Sequence, residues 1–316
     1  MSGDEPFYWR MAASPSGPHA FPYAYRVGVP WVVHALPFSH AFSFAALALG
    51  CIAASAAVLY RLLESFDIGG PLAAGLAIGF AFSPTLLVVL VRHGRAIDPE
   101  SILIMTLGAL LIVRRQRVAL AVTLLVGMAV KETALYLIPL AYAVWARRPL
   151  DPQALRDVAL TAAAPIAGYL VLRSAIDAVG NAYTPEYTGS FLRVRLDVIR
   201  QALSGVELRR LAYTYGPIWL IAPFALRDLR FARCGLVLLA LCLGSMAFSF
   251  DIGRIIFLAA PVFYVAVAWV LRSRPRLALA AVIALLAMDA GYAIYLQAYG
   301  TRHGLDGVAG HASSGY

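Results

Sequence analysis

Residues 114–148 read RRQRVALAVTLLVGMAVKETALYLIPLAYAVWARR, two basic ends around an apolar stretch interrupted once, at Lys131-Glu132. Read as one helix, the stretch buries both charges near the middle of a membrane, at roughly 2.5–3.5 kcal/mol for each. It also sends Arg114–Arg117 and Arg147-Arg148 to opposite sides. Read as two helices meeting at Lys131-Glu132, it returns both basic ends to one side. Two helices of about 13 residues rise only about 20 Å each, short of a core of about 30 Å. They therefore need shielding by neighbours, with the Lys-Glu junction in a polar setting. The two-helix reading is the one adopted.

The remaining charges sort in the same way. One set of gaps between apolar runs is basic: Arg114–Arg117, Arg147-Arg148, Arg227 to Arg233, and Arg272 to Arg276. The other set mixes acids and bases: Asp4-Glu5, Arg92-His93-Gly94-Arg95 with Asp98 and Glu100, Lys131-Glu132, and Asp251 with Arg254. The sets alternate along the chain. In a polytopic membrane protein this separates a cytoplasmic face that sets orientation from an outer face that carries chemistry.

Composition supports that class. Of 316 residues 61% are hydrophobic and 14% charged, where a soluble domain carries about a quarter charged. Mean hydropathy is +0.75. The net charge of +9 sits mostly in short loops beside apolar runs, so positive-inside topology accounts for it and nucleic acid is not implied. Cys51, Cys234 and Cys242 all fall inside apolar runs, with neither a disulfide framework nor metal-ligand spacing.

Apolar runs lie at about 41–63, 72–91, 100–113, 118–130, 133–146, 158–176, 213–227, 234–250, 255–271 and 277–296. They predict an all-α polytopic integral membrane protein with about ten transmembrane helices. Residues 1–40, broken by six prolines, form an external loop with juxtamembrane helices. Residues 41–300 form the transmembrane domain and 301–316 a flexible Gly/Ser/His tail. Within 177–212, Leu192, Leu196, Ile199, Leu203 and Val206 recur at helical spacing, predicting an external amphipathic segment lying along the lipid surface. Residues 1–40 lack the short basic start and apolar stretch of a signal peptide, and an external start of this length reads as a chain lacking one upstream helix.

The N-terminal segment carries Gly3-Asp4-Glu5-Pro6-Phe7-Tyr8-Trp9-Arg10-Met11-Ala12 and then Pro22-Tyr23-Ala24-Tyr25-Arg26-Val27-Gly28-Val29-Pro30. Acids just before a proline mark a helix start, which by itself asks for no more than a cap. The succession of acid, short Tyr/Met/Ala helix, Pro-aromatic-Tyr-Arg stretch and transmembrane run resembles the first external loop of the GT-C superfamily of membrane glycosyltransferases. The resemblance extends to Asp98-Pro99-Glu100 in a second external loop, to Lys131-Glu132 opening a helix with Pro139 downstream, and to Asp251-x-x-Arg254 before a late span. It covers most of the chain as an arrangement of short motifs. It implies a GT-C-like fold, a catalytic role for Asp4 with Glu5 beside it, and a polyprenyl-phosphate-linked sugar donor.

The chemistry of the residues is compatible with this. Transfer from a polyprenyl-phosphate sugar expels a phosphate, which requires nearby positive charge and a base for the acceptor's proton, but no general acid. Arg26, Arg92, His93, Arg95, Lys131 and Arg254 are the candidates for the donor phosphate. Asp98, Glu100, Glu132 and Asp251 are supporting acids, and Asp98 with Glu100 are the candidates for a divalent cation such as Mg or Mn. Each cluster also has a plainer reading: a surface ion-pair loop at 92–100, mutual pairing of Asp251 with Arg254, an interhelical hydrogen bond from Asp289, and an interface belt of Tyr183, Tyr187, Tyr213, Tyr215 and Trp219. The expected function is sugar transfer to a glycan, lipid or protein acceptor on the periplasmic side of a bacterial inner membrane, in contact with membrane lipids, by inverting displacement. The alternatives are a secondary transporter, against which the absence of a visible repeat counts, and a non-catalytic membrane scaffold of the same fold.

Overall fold

The computed structural model describes residues 4–93, 96–181, 200, 211–245 and 252–313. It is mostly helical. The N-terminal segment folds as α1 (Glu5–Ala13), the short strand β1 (His19–Phe21), a 3₁₀ turn (Tyr23–Tyr25) and α2 (Gly28–Ala35). There follow α3 (His40–Glu64), α4 (Gly70–Ala81), α5 (Pro84–His93), α6 (Asp98–Val113), α7 (Arg117–Val130), a 3₁₀ turn (Glu132–Tyr136), α8 (Leu137–Trp145) and α9 (Pro152–Ala175). The strand β2 (Ala178–Asn181) pairs in parallel with β1. The chain ends through α10 (Ile218–Ile221), a 3₁₀ turn (Ala222–Leu226), α11 (Arg230–Ser245), α12 (Ile252–Phe257), α13 (Ala260–Leu271) and α14 (Pro275–Ser313).

Among the described residues four helical stretches are long and apolar enough to cross a membrane: His40–Glu64, Gly70–Leu87 through the α4–α5 junction, Pro152–Ala175 and Pro275–Tyr295. The other apolar runs become shorter helices, and prolines and charges explain the breaks. Pro84 cannot donate to the helix ladder, so the run at 72–91 divides into α4 and α5. Gly216 at φ +49 and the prolines at 217 and 223 break the run at 213–227 into short pieces. Pro261 likewise starts α13. The tail expected to be flexible after Thr301 continues α14 as far as Ser313; no proline follows Pro275 to stop it.

The stretch 118–146 is divided. Helix α7 stops at Val130, and Lys131 takes an extended backbone at φ −161, ψ 136 before the 3₁₀ turn and α8. Gly127 makes the reversal possible: a Cβ there would lie 2.8 Å from the Ala134 side chain and 2.9 Å from that of Ile104. The first turn of α2 approaches the same place, since a Cβ on Gly28 would lie 3.0 Å from the Ala129 carbonyl oxygen. The N-terminal segment is therefore packed onto the end of α7. Its small core joins Tyr8, Met11, Tyr23, Val27 and Val33 to Phe44 of α3, Ile97 ahead of α6 and Val130 of α7. A larger core fills the space between α3, α4, α6–α8 and α10–α13.

Basic residues collect at the other end of α6 and α7. There the last carbonyls of α8 are satisfied by donors from two clusters distant in sequence. Cys234 Sγ donates to the Ala143 carbonyl at 3.1 Å, Arg230 donates to those of Val144 and Ala146, and Arg115 donates to that of Trp145 at 3.4 Å. Arginines expected to set orientation thus also complete a helix terminus.

Candidate functional site

The charges at the start of α6 and the end of α7 form a ring. Asp98, in the first turn of α6, is 5% exposed. Its Oδ1 accepts from Lys131 Nζ at 2.9 Å, and its Oδ2 accepts from the Arg254 guanidinium at 2.7 Å. Arg254 comes from α12, and its guanidinium also stands 3.9 Å from Asp4 Oδ2. The other Asp4 oxygen accepts from the Tyr23 hydroxyl at 2.7 Å. The Tyr23 ring lies 5.5 Å from the Arg26 guanidinium carbon. Arg26 closes the ring on Glu132, the chain neighbour of Lys131, with Nε donating at 3.0 Å and a second nitrogen donating to the other carboxylate oxygen. Residues from four separated segments thereby meet.

Local structure explains each placement. Pro99, in the first turn of α6, needs no N–H partner there and favours a helix start at its neighbour Asp98. The extended backbone at Lys131 turns consecutive side chains to opposite sides, so Lys131 reaches Asp98 while Glu132 meets Arg26. Asp4 stands at the N-cap position of α1, but its side chain makes no capping bond. The acid that helix-start logic assigns to capping is instead aimed across the loop at Tyr23 and Arg254.

The site grades from closed to open. The Asp98 side chain is 7% exposed, those of Lys131 and Arg254 are 17% exposed, and that of Asp4 is 29% exposed. Arg26 is buried, and its remaining nitrogen donates to the Tyr8 hydroxyl at 3.2 Å. Burial opposes the charge on Arg26, but the hydrogen bond to Tyr8 and the Glu132 carboxylate outweigh it and hold the guanidinium above its ordinary value. Burial raises the Tyr8 hydroxyl as well, so it stays neutral and accepts from Arg26. Arg26, expected on the donor phosphate, thus already has a bidentate carboxylate partner. Its geometry suits a strut that positions the Lys131-Glu132 break.

Other expected residues are placed differently. Glu5 is buried in α1. Glu100 is buried two residues beyond Asp98, and among the described residues neither of its oxygens has a hydrogen-bond partner. Arg92 and His93 lie in the last turn of α5; their side chains, together with Arg95 and Asp251, fall outside the described residues. So do residues 191–199 and 201–210 of the expected amphipathic segment, and Tyr183 and Tyr187 of the aromatic belt. Asp289 does not bond a neighbouring helix: it is 2% exposed and both its oxygens lack a partner among the described residues. Tyr215 is a core residue, not part of an interface belt; it is buried, with its hydroxyl donating to the Ile256 carbonyl at 2.7 Å. Tyr8 and Tyr23 join the site through Arg26 and Asp4, roles that their place in the aromatic N-terminal motif does not by itself reveal.

The donor set does not suit a divalent cation. Asp98 already faces an ammonium and a guanidinium, so a metal ion there would be added to two positive charges. Among the described residues no group of three His, Cys, Asp or Glu side chains converges as a ligand set. Comparison with protein-family models, with curated proteins and with solved structures yields no match to this chain.

Proposed function

We propose that this protein is a membrane glycosyltransferase of the GT-C kind, moving a sugar from a polyprenyl-phosphate donor to a glycan, lipid or protein acceptor on the non-cytoplasmic face. The observation that carries the reading is Arg254, which joins the partly exposed Asp4 to the Asp98–Lys131 pair. One open carboxylate beside two cations is what displacement of a phosphate requires. The acceptor hydroxyl oxygen attacks the anomeric carbon while the bond from that carbon to the phosphate oxygen breaks. The electron pair leaves with the phosphate, which Lys131 and Arg254 stabilise, and the hydroxyl proton passes to Asp4. Of the acids facing Arg254, Asp4 is the more exposed, while Asp98 is held between two cations and Glu132 is engaged by Arg26. About ten spans, with short ones shielded by neighbours, and a bacterial inner membrane with the site facing the periplasm complete the reading.

The test is Asp4→Asn in the full chain, assayed for transfer from a polyprenyl-phosphate sugar. The expected result is loss of rate on the order of 10²–10⁴-fold with donor binding kept. Unchanged transfer removes Asp4 from the mechanism.

A second reading, a proton-coupled transporter, is favoured by one observation: Asp289 and Glu100 are buried acids with no hydrogen-bond partner among the described residues, as proton relays in membranes are. Proton-coupled flux abolished by Asp289→Asn would select it.

A further inference from the structure

The two cations assigned to the donor phosphate are not waiting empty. Asp98 places one carboxylate oxygen on each, at 2.9 Å from Lys131 Nζ and 2.7 Å from Arg254. A carboxylate and a phosphate group present the same feature to such a pair: two oxygens sharing one negative charge, each able to accept a charge-assisted hydrogen bond. We propose that Asp98 is the resident counter-ion of an anion site formed by Lys131 and Arg254, and that an arriving phosphate group takes the two cations from it. The inference rests on the transferase reading above and adds the regulation of its donor site.

The physical reason for a resident anion is desolvation. Two cations with side chains 17% exposed would repel one another and lack water if nothing stood between them. Asp98 keeps the unliganded protein folded with the cations already placed. Binding then exchanges one anion for another, which lowers affinity relative to an empty site. The same competition acts after transfer. The phosphate that leaves carries more negative charge than the diester that entered, and Lys131 and Arg254 would hold it more tightly without Asp98 to compete. Return of Asp98 to Lys131 and Arg254 helps to release it, a step that often limits turnover. Asp4, on the open side of Arg254, takes no part in this exchange.

The experiment compares wild type with Asp98→Asn, full chain in lipid nanodiscs, using a short-chain polyprenyl phosphate and inorganic phosphate as separate probes, with binding and thermal unfolding measured. The expected result is that Asp98→Asn binds the polyprenyl phosphate about tenfold tighter or more, and inorganic phosphate tighter too. Its unfolding temperature, lowered without anion, should be restored by the polyprenyl phosphate to a greater extent than the wild type is shifted. A variant that folds only when the lipid phosphate is present is the extreme of that result; one that stays unfolded with it present overturns the proposal. Wild-type binding with no gain, or a loss, in Asp98→Asn overturns the counter-ion while leaving the donor reading standing. A gain with inorganic phosphate alone keeps the counter-ion and removes the lipid donor. Failure of both proteins to bind either probe overturns both.

Discussion

Lys131 Nζ and Asp98 Oδ1 lie 2.9 Å apart, joining the break between α7 and α8 to the first turn of α6 across 33 positions of sequence. The pair makes the chain break and the charge cluster a single feature. The apolar helix α7 ends before Lys131, and the Lys131 side chain then finds the acid at the start of the neighbouring helix.

Removing the cation should therefore destabilise the fold as well as the site. Lys131→Met removes one of the cations facing Asp98, whose side chain is 7% exposed. Breaking a buried pair costs about 3–5 kcal/mol, and the partial exposure of Lys131 places this variant toward the lower end. Thermal unfolding of Lys131→Met, Asp98→Asn and the double variant should show strong coupling; additive effects would mean that the pair contributes no interaction of its own.

Arg26 should not tolerate lysine. The guanidinium spends three nitrogens on Glu132 and Tyr8, and an ammonium cannot match that fork. Arg26→Lys should lower stability by on the order of 1.5–3 kcal/mol, the value of a hydrogen bond to a charged group, toward the low end because the Glu132 side chain is 41% exposed. An unfolding temperature equal to wild type would show that the N-terminal segment is held by its apolar core alone.

Asp151 should give α9 an acid-sensitive start. Its carboxylate accepts from the backbone N–H groups of Arg147, Gln153 and Ala154 at 2.9, 3.1 and 3.4 Å. These bonds, that from Arg147 foremost, hold it below the usual carboxylate range. A group lowered on folding contributes stability above its unfolded value, near 3.9, and loses it as pH falls through the lower folded value. Melting curves from pH 7 to pH 3 should show Asp151→Ala less stable than wild type at neutral pH, with the difference closing at the acid end. A constant difference over that range would rule out the carboxylate as its source.

Asp289 offers the opposite case. It is buried in α14, its Oδ2 3.6 Å from where a Cβ on Gly79 of α4 would stand, and has no hydrogen-bond partner among the described residues. A buried charge without a partner contributes no stability. Asp289→Asn, which keeps the shape, should leave the unfolding temperature unchanged or raise it, and should leave sugar transfer intact. A clear loss of stability would reveal a partner for the carboxylate.

Much of this architecture was legible along the chain because it follows from local rules. Apolar runs, basic gaps and prolines act over a few residues each, so the helical class, the division at Lys131 and the ends of α3, α6 and α7 could be read from order alone. The site was legible only as a list. Asp4, Asp98, Lys131 and Arg254 all stand out in the sequence as candidates, but their order does not show that Arg254 reaches Asp98 on another helix or that Asp98 stands between two cations. Nothing in the order of residues distinguishes an arginine that serves a nearby acid from one that crosses to another helix.

By itself the sequence determined that the chain is apolar and helical and that its charges gather in short gaps, since hydropathy and helix breaking depend on a residue and its near neighbours. Only the tertiary structure decided that Asp98 stands between Lys131 and Arg254, that Arg26 braces Glu132, and that Asp4 faces Arg254 instead of capping its own helix. The physical reason is that charges shielded from water take the partner that packing brings within hydrogen-bonding reach. That packing is set by the contact of α1 and α2 with α3, α7 and the residues just ahead of α6, which no single segment specifies.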